Sequence, residues 1–168
     1  MQSAVDVAGL PAYDRNRLVA EMELLPEWFL GRHLAYAPGG DERDVIEAAF
    51  AFLVQAALEQ PRAFVHRDFH SRNLLVTPQR SPGIIDFQDA VYGPITYDLV
   101  SLYRDAYISW DEQQELAFVI RYWEMARKAG LPVDANFDIF YRDYEWMGAQ
   151  RQIKVLGIFA RLCHRDGK

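Results

Sequence analysis

Apolar residues recur at helical spacing along most of this chain, and the rhythm changes once, near the middle. Behind Pro11 and Asp14, the residues Leu18, Met22 and Leu25 keep three- and four-residue spacing, which predicts a helix capped by Asp14. Pro26 then predicts either a kink or a second short helix through Trp28, Phe29 and Leu34. Residues 36–40 read as a break. Asp41, with Asp44 three residues on, is the expected N-cap of the next helix, with Val45, Ala48, Ala49, Phe52, Leu53, Ala56 and Ala57 as its apolar repeat until Pro61.

At Ala63 the helical period stops. Phe64 and Val65 give a short strand signal, and two apolar triplets follow: Leu74, Leu75, Val76 and Gly83, Ile84, Ile85. The stretch TPQRSPG between them is turn chemistry, so the triplets are expected to form a hairpin with polar residues at its ends. Pro94 is expected to open a helical segment through Tyr107. Asp111 with Gln114 predicts a capped helix ending near Gly130, and Phe137 through Leu162 one long or broken helix. The fold class expected is α+β, mainly helical, with a small central β-hairpin.

Composition narrows the function classes. The 168 residues carry 18 Lys and Arg against 24 Asp and Glu, a formal charge of −6, with 51% hydrophobic and 14% aromatic residues. That is material for one globular domain. The acidic balance argues against a general nucleic-acid or membrane-surface binder, which needs a basic face. One cysteine, Cys163, allows neither an intrachain disulfide nor a Cys-based zinc site and fits a reducing compartment. The opening residues show no basic region followed by an apolar run, and no apolar run elsewhere is long enough for a membrane span. A cytoplasmic location is expected.

The chemistry concentrates at the two ends of the hairpin, in His66-Arg67-Asp68-Phe69-His70-Ser71-Arg72-Asn73 and Ile84-Ile85-Asp86-Phe87-Gln88-Asp89. A hairpin returns the chain alongside itself, so Asn73 before one strand and Asp86 after the other can share an end and a ligand. An amide oxygen and a carboxylate are hard ligands suited to magnesium held together with substrate phosphates. Asp68, five residues before Asn73, is then placed to receive a hydroxyl proton.

The pattern H-R-D-x-x-x-x-N followed by an apolar pair and D-F resembles the catalytic and metal loops of protein kinases. HRDFHSRNLLV, GIIDFQDA and GPITYDL are more similar to the aminoglycoside phosphotransferase and choline kinase branch, with Gln88 where the kinase D-F-G has glycine. Within that branch, YDRNRLVAEMELLPEWFLGRHL and YEWMGAQRQIKVLGIFARLCHRDGK resemble bacterial kinases that phosphorylate N-acetylated amino sugars at the anomeric hydroxyl. The resemblance implies the carboxy-terminal lobe of a protein-kinase-like fold, with ATP and Mg2+ as cofactors and a role in peptidoglycan recycling. It implies Asp68 as catalytic base and Asn73 and Asp86 as cofactor- and metal-binding residues. His70 could face the transferring phosphoryl group or pack the loop, and His66 is expected to brace it.

Asp89 could orient substrate, join the metal shell or make an Asx turn. Asp98 is expected to brace the catalytic loop or cap a helix. Among Trp28, Tyr92, Tyr97, Trp110 and Trp146, most should be core, with one or two able to pack on an acetamido sugar. Arg151 and Lys154 are candidates for an acceptor carboxylate or a solvated face.

Two parts of a complete kinase are not found: a Gly-rich loop and a strand lysine paired to a helix glutamate. The lysines are Lys128, Lys154 and Lys168, all after the metal motif. The amino-terminal nucleotide lobe is therefore expected to be absent, leaving residues 1–168 as the carboxy-terminal lobe. Such a chain should be inactive alone and should self-associate through the uncovered surface. An aminoglycoside or choline-like acceptor, and a non-catalytic binding lobe, are the alternative functions.

Overall fold

The computed structural model describes residues 1–3 and 5–167 and divides into two compact units. The first combines Met1–Tyr13 with Gln60–Glu145, and the second combines Asp14–Glu59 with the chain from Trp146 on. Helices dominate, and two small antiparallel sheets lie in the first unit.

In the first unit, β1 (Arg62–Val65) pairs with β4 (Val91–Pro94) in the register Phe64↔Tyr92 and Val65↔Val91. Tyr92 also exchanges backbone hydrogen bonds with Pro11 and Tyr13, each 2.9 Å, adding the amino-terminal segment at Ala12. Gly93 is required there, because a Cβ would lie 2.7 Å from the Cβ of Tyr13. The hairpin expected from the apolar triplets pairs over two residues a side. Its strands are β2 (Leu74–Leu75) and β3 (Gly83–Ile84), with Leu74 opposite Ile84, while Val76 and Ile85 fall outside the ladder.

The helices of this unit are α3 (Tyr97–Tyr103), α4 (Glu112–Lys128) and the first part of α5 (Phe137–Asp166). Asp111 caps α4 as expected, its Oδ1 accepting from the Gln114 N–H at 2.8 Å, and Gly130 takes φ +71° just beyond the end. Tyr13, Val65, Val91, Ile95, Tyr97, Val100, Val119, Phe140 and Tyr144 are buried and form the core. Gln60 crosses it, accepting from the Thr96 hydroxyl at 2.6 Å and donating to the Asp143 carbonyl at 2.8 Å. Arg104 is bound by Glu115 at 2.7 Å and by Glu145, and the Tyr144 hydroxyl donates to the same Glu115 oxygen at 2.9 Å.

The second unit holds α1 (Arg15–Met22), a π-helical segment Leu25–His33, α2 (Gly40–Glu59) and the rest of α5. Asp14 caps α1 by accepting from the Arg17 N–H at 3.0 Å, and Leu18 and Met22 are fully buried. Each such side chain contributes about 1.5–3 kcal/mol of burial. The chain after Pro26 widens to five-residue hydrogen bonds, with Leu34 N–H on the Phe29 carbonyl at 3.0 Å. Gly157 of α5 meets Leu24 so closely that a Cβ would lie 2.4 Å from its carbonyl carbon.

Four expectations are corrected. Helix α2 starts at Gly40, so Asp41 is inside the first turn, and the Gly39 N–H is held by Glu42 Oε2 at 2.8 Å instead. Its buried face is Phe50, Leu53, Val54 and Ala57, leaving Val45 69% and Phe52 52% exposed, because α2 carries two apolar stripes of which only one is buried. Strand β4 was not anticipated, and it takes Pro94 as its last residue, so α3 begins at Tyr97 and is short. The Arg151 and Lys154 pair is no solvated face: both residues are buried, and Lys154 pairs with Glu21 at 3.0 Å.

Candidate active site

The segment from His66 to Asn73 leaves β1 and enters β2 through a single 3-10 turn at Ser71–Asn73. Arg67 takes φ +73° and Asp86 takes φ +70°. Left-handed backbone at a non-glycine residue costs free energy and persists where the surroundings impose it.

Two carboxylates brace the loop that contains Arg67. Asp98 of α3 accepts from the backbone N–H of His66 at 2.7 Å and of Arg67 at 3.1 Å, which is the bracing role expected for it. Asp105, two residues beyond α3, accepts from the Ser71 N–H at 2.8 Å and the Tyr107 N–H at 3.2 Å. Burial pushes the Asp105 carboxyl up, but the hydrogen bonds from Ser71 and Tyr107 outweigh it and hold its pKa below the usual range. Arg72 stacks over the Tyr107 ring at 3.9 Å, and the His70 ring packs 5.8 Å from the same ring. Nothing local in the sequence marks Asp105 or Tyr107, whose contacts reach back more than thirty residues.

His66 is fully buried against Phe69, ring centroids 5.8 Å apart. Burial pulls its imidazole below the usual histidine pKa, with the Ile85 backbone and the Asp68 and Asp86 carboxylates pulling the other way. The neutral ring is thus packed beneath both motif loops.

Asn73 and Asp86 converge. The Asn73 amide nitrogen lies 2.9 Å from the Asp68 carbonyl oxygen and 3.3 Å from Asp86 Oδ2, while the Ile85 N–H donates to the Asn73 carbonyl at 3.2 Å. Gln88, standing in the glycine position of the kinase pattern, donates to Asp86 Oδ1 at 2.8 Å. Asp86 is exposed, and Asp68 is half-buried with no hydrogen-bond donor to its carboxylate among the described residues.

The donor set fits a magnesium ion in one particular way. One carboxylate and one amide oxygen on an open surface suit a hard cation that keeps waters and phosphate oxygens. No group of three or more His, Cys, Asp or Glu side chains among the described residues forms an all-protein cage.

The other candidates are placed as follows. Asp89 is exposed just beyond the Asp86 loop. Trp146 and Arg151 belong to the second unit, where Trp146 packs edge-on against Phe52 at 4.8 Å and Arg151 is buried. Of the other aromatic residues, Tyr97 is core against Tyr13 at 5.2 Å and Trp110 packs on Phe118 at 5.1 Å. The second unit also contains a cavity of about 460 Å3, lined by Glu23, Glu27, Glu47, Arg43 and Tyr36 among others. No helix among the described residues is long and apolar enough to cross a membrane.

A braced H-R-D loop beside an Asn–Asp pair is the arrangement of a phosphotransferase, and residues 2–131 match the model of the Phosphotransferase enzyme family, APH. The chain belongs to that family. It is 53% identical over 168 residues to the N-acetylmuramate/N-acetylglucosamine kinase of Neisseria meningitidis serogroup B, a match covering all of this chain and 50% of that protein. The proteins of the same name from Pseudomonas aeruginosa and Pseudomonas putida are 50% identical over 165 residues and 46% over 161. Those matches cover 98% and 96% of this chain, and 48% and 47% of the relatives. The chain thus spans about half the length of the curated relatives it matches.

Proposed function

We propose that this chain is the carboxy-terminal lobe of a cytoplasmic ATP-dependent kinase that phosphorylates an N-acetylated amino sugar, N-acetylmuramate or N-acetylglucosamine, at the anomeric hydroxyl in peptidoglycan recycling. The observation that carries it is the 3.3 Å approach of Asn73 to Asp86 beside Asp68, in a chain about half identical to kinases bearing those substrates in their names.

In this reading the β2–β3 hairpin carries both functional loops. Asp68 accepts the proton of the attacking hydroxyl, its loop held by Asp98 and Asp105. An anomeric hydroxyl is more acidic than an ordinary alcohol, so a carboxylate suffices as its base. Asn73 Oδ1 and the Asp86 carboxylate hold Mg2+, which when bound neutralises charge on the nucleotide phosphates. Gln88 and the Asn73 amide nitrogen orient the two oxygens of Asp86. His70 is held near the loop surface by Tyr107, where it can meet the phosphoryl group. Asp89, exposed just beyond the Asp86 loop, is proposed to contribute to the acceptor side.

A second acceptor class has one observation in its favour. The cavity of the second unit has three glutamates against one arginine, which suits a cationic amine such as an aminoglycoside or choline. A two-lobed enzyme, made by joining this chain to the amino-terminal half of the Neisseria relative, separates the readings. Turnover with N-acetylmuramate and none with its 1-O-methyl glycoside supports the proposal, whereas preference for kanamycin-like amines overturns it. The 168-residue chain alone is expected to transfer negligible phosphate, because elements that hold the nucleotide from above are not encoded in it.

A further inference from the structure

Far from the motif in sequence, the second unit brings two histidines together. His33 is the last residue of the π-helical segment and His164 lies in the last turn of α5, 131 positions away. Their facing nitrogens, His33 Nδ1 and His164 Nε2, are 3.2 Å apart, and both residues are exposed.

The distance suits two uses of the pair. As a hydrogen bond it sits at the long limit of the normal range. As two ligands of one ion it is well placed: with metal–nitrogen bonds of about 2.0–2.1 Å, nitrogens 3.2 Å apart subtend about 100–106° at the metal. That angle is close to tetrahedral. The rings are also pre-positioned. His33 stacks on Phe29 with centroids 5.7 Å apart and planes at 23°, and the two imidazoles meet edge to face at 68°.

Charge around the pair does not forbid a cation. Of the neighbouring arginines, Arg165 is bound to Asp166 at 2.6 and 3.0 Å, and Arg32 is drawn over the Trp28 ring. Cys163 is exposed but directly precedes His164 on the helix, and adjacent helical residues do not face the same way. Among the described residues no third His, Cys, Asp or Glu completes the set, so water must fill the remaining positions.

We infer that His33 and His164 form a two-imidazole site for a divalent transition metal, which clips the end of α5 to the π-helical segment. Imidazole nitrogen selects Zn2+, Ni2+, Cu2+ or Co2+ over Mg2+, so this site is chemically distinct from the oxygen-ligand pair at Asn73 and Asp86. It does not depend on the proposed reaction or its acceptor.

The test uses tag-free protein in a buffer free of chelators, titrated with NiCl2 and ZnCl2 by calorimetry, with Co2+ absorption as a spectroscopic check. One ion per chain is expected, with a metal-dependent rise in the thermal midpoint. His33→Ala and His164→Ala should each weaken binding by about tenfold or more. Cys163→Ser and Asp86→Ala should leave it unchanged. His33→Gln and His164→Gln, checked by circular dichroism, repeat the test if an alanine variant does not fold. Binding that survives loss of either histidine, that follows Cys163 or Asp86, or that is absent from the folded wild-type chain overturns the inference.

Discussion

The motif loops of the first unit and the helix packing of the second use charged side chains in opposite ways. Around the hairpin, Asp98 and Asp105 take backbone N–H groups as partners, the left-handed Arg67 among them, and Asp68, Asn73 and Asp86 stay within reach of solvent. In the second unit Glu21 and Lys154 neutralise one another in the interior, each side chain about one-tenth exposed. A carboxylate bonded to backbone fixes the course of a loop, and one bonded to an ammonium fills a core. Removing a charge should therefore damage chemistry in the first region and stability in the second.

The largest effect is expected at the loops. In the two-lobed enzyme, Asp86→Ala should abolish turnover, and Asp68→Asn should slow transfer by about 10²-fold or more while nucleotide binding persists. Steady-state kinetics beside a nucleotide-binding titration checks both. If Asp68→Asn retains full turnover, the assignment of the base fails.

Next is the buried pair. Lys154→Ala removes the buried ammonium that Glu21 binds and should cost about 3 kcal/mol in urea unfolding. The double variant Glu21→Leu with Lys154→Met should recover most of that loss, since apolar packing can replace a buried ion pair. A surface pair would show almost none of it.

A smaller loss, about 2 kcal/mol, is expected for Asp98→Ala, which strands the N–H groups of His66 and Arg67. Asp98→Asn should be nearly as harmful, because an amide can offer an oxygen to only one of them. Unlike Lys154→Ala, both changes should also depress turnover, which a purely structural role would not explain.

The smallest effect is one of pH. Because burial holds His66 neutral, the unfolded chain binds a proton more readily than the folded one near and below the ordinary histidine pKa of about 6.5. The His66 contribution is therefore fully present above that pH and is lost as pH falls through it, by at most about 1.4 kcal/mol per pH unit. Urea midpoints between pH 7.5 and 5 should fall more steeply for the native chain than for His66→Phe. Parallel slopes would contradict a neutral buried ring.

What was legible in the sequence follows the range of each interaction. Asp14 and Asp111 cap helices by bonding an N–H three residues away, so both could be read from local spacing. The short β2–β3 pairing was legible because turn residues separate two apolar triplets, and Asn73 lies 3.3 Å from Asp86 beside it. The buried face of α2 was not, because two apolar stripes compete and only tertiary packing chooses Phe50 and Val54 over Val45 and Phe52. Strand β4 was missed for a similar reason: Val91-Tyr92-Gly93-Pro94 is a weak strand by composition and is made by pairing with β1 and Pro11–Tyr13. Asp105 and the His33–His164 contact are long-range placements with no local signature.

The division of labour among the three loop residues can be measured by electron paramagnetic resonance of Mn2+ with ATP in the two-lobed enzyme. The bound-ion signal should vanish in Asp86→Ala, weaken by about tenfold or more in Asn73→Ala and remain unchanged in Asp68→Asn. A signal that survives Asp86→Ala, or that is lost with Asp68→Asn, would contradict a metal pair separate from the proton acceptor.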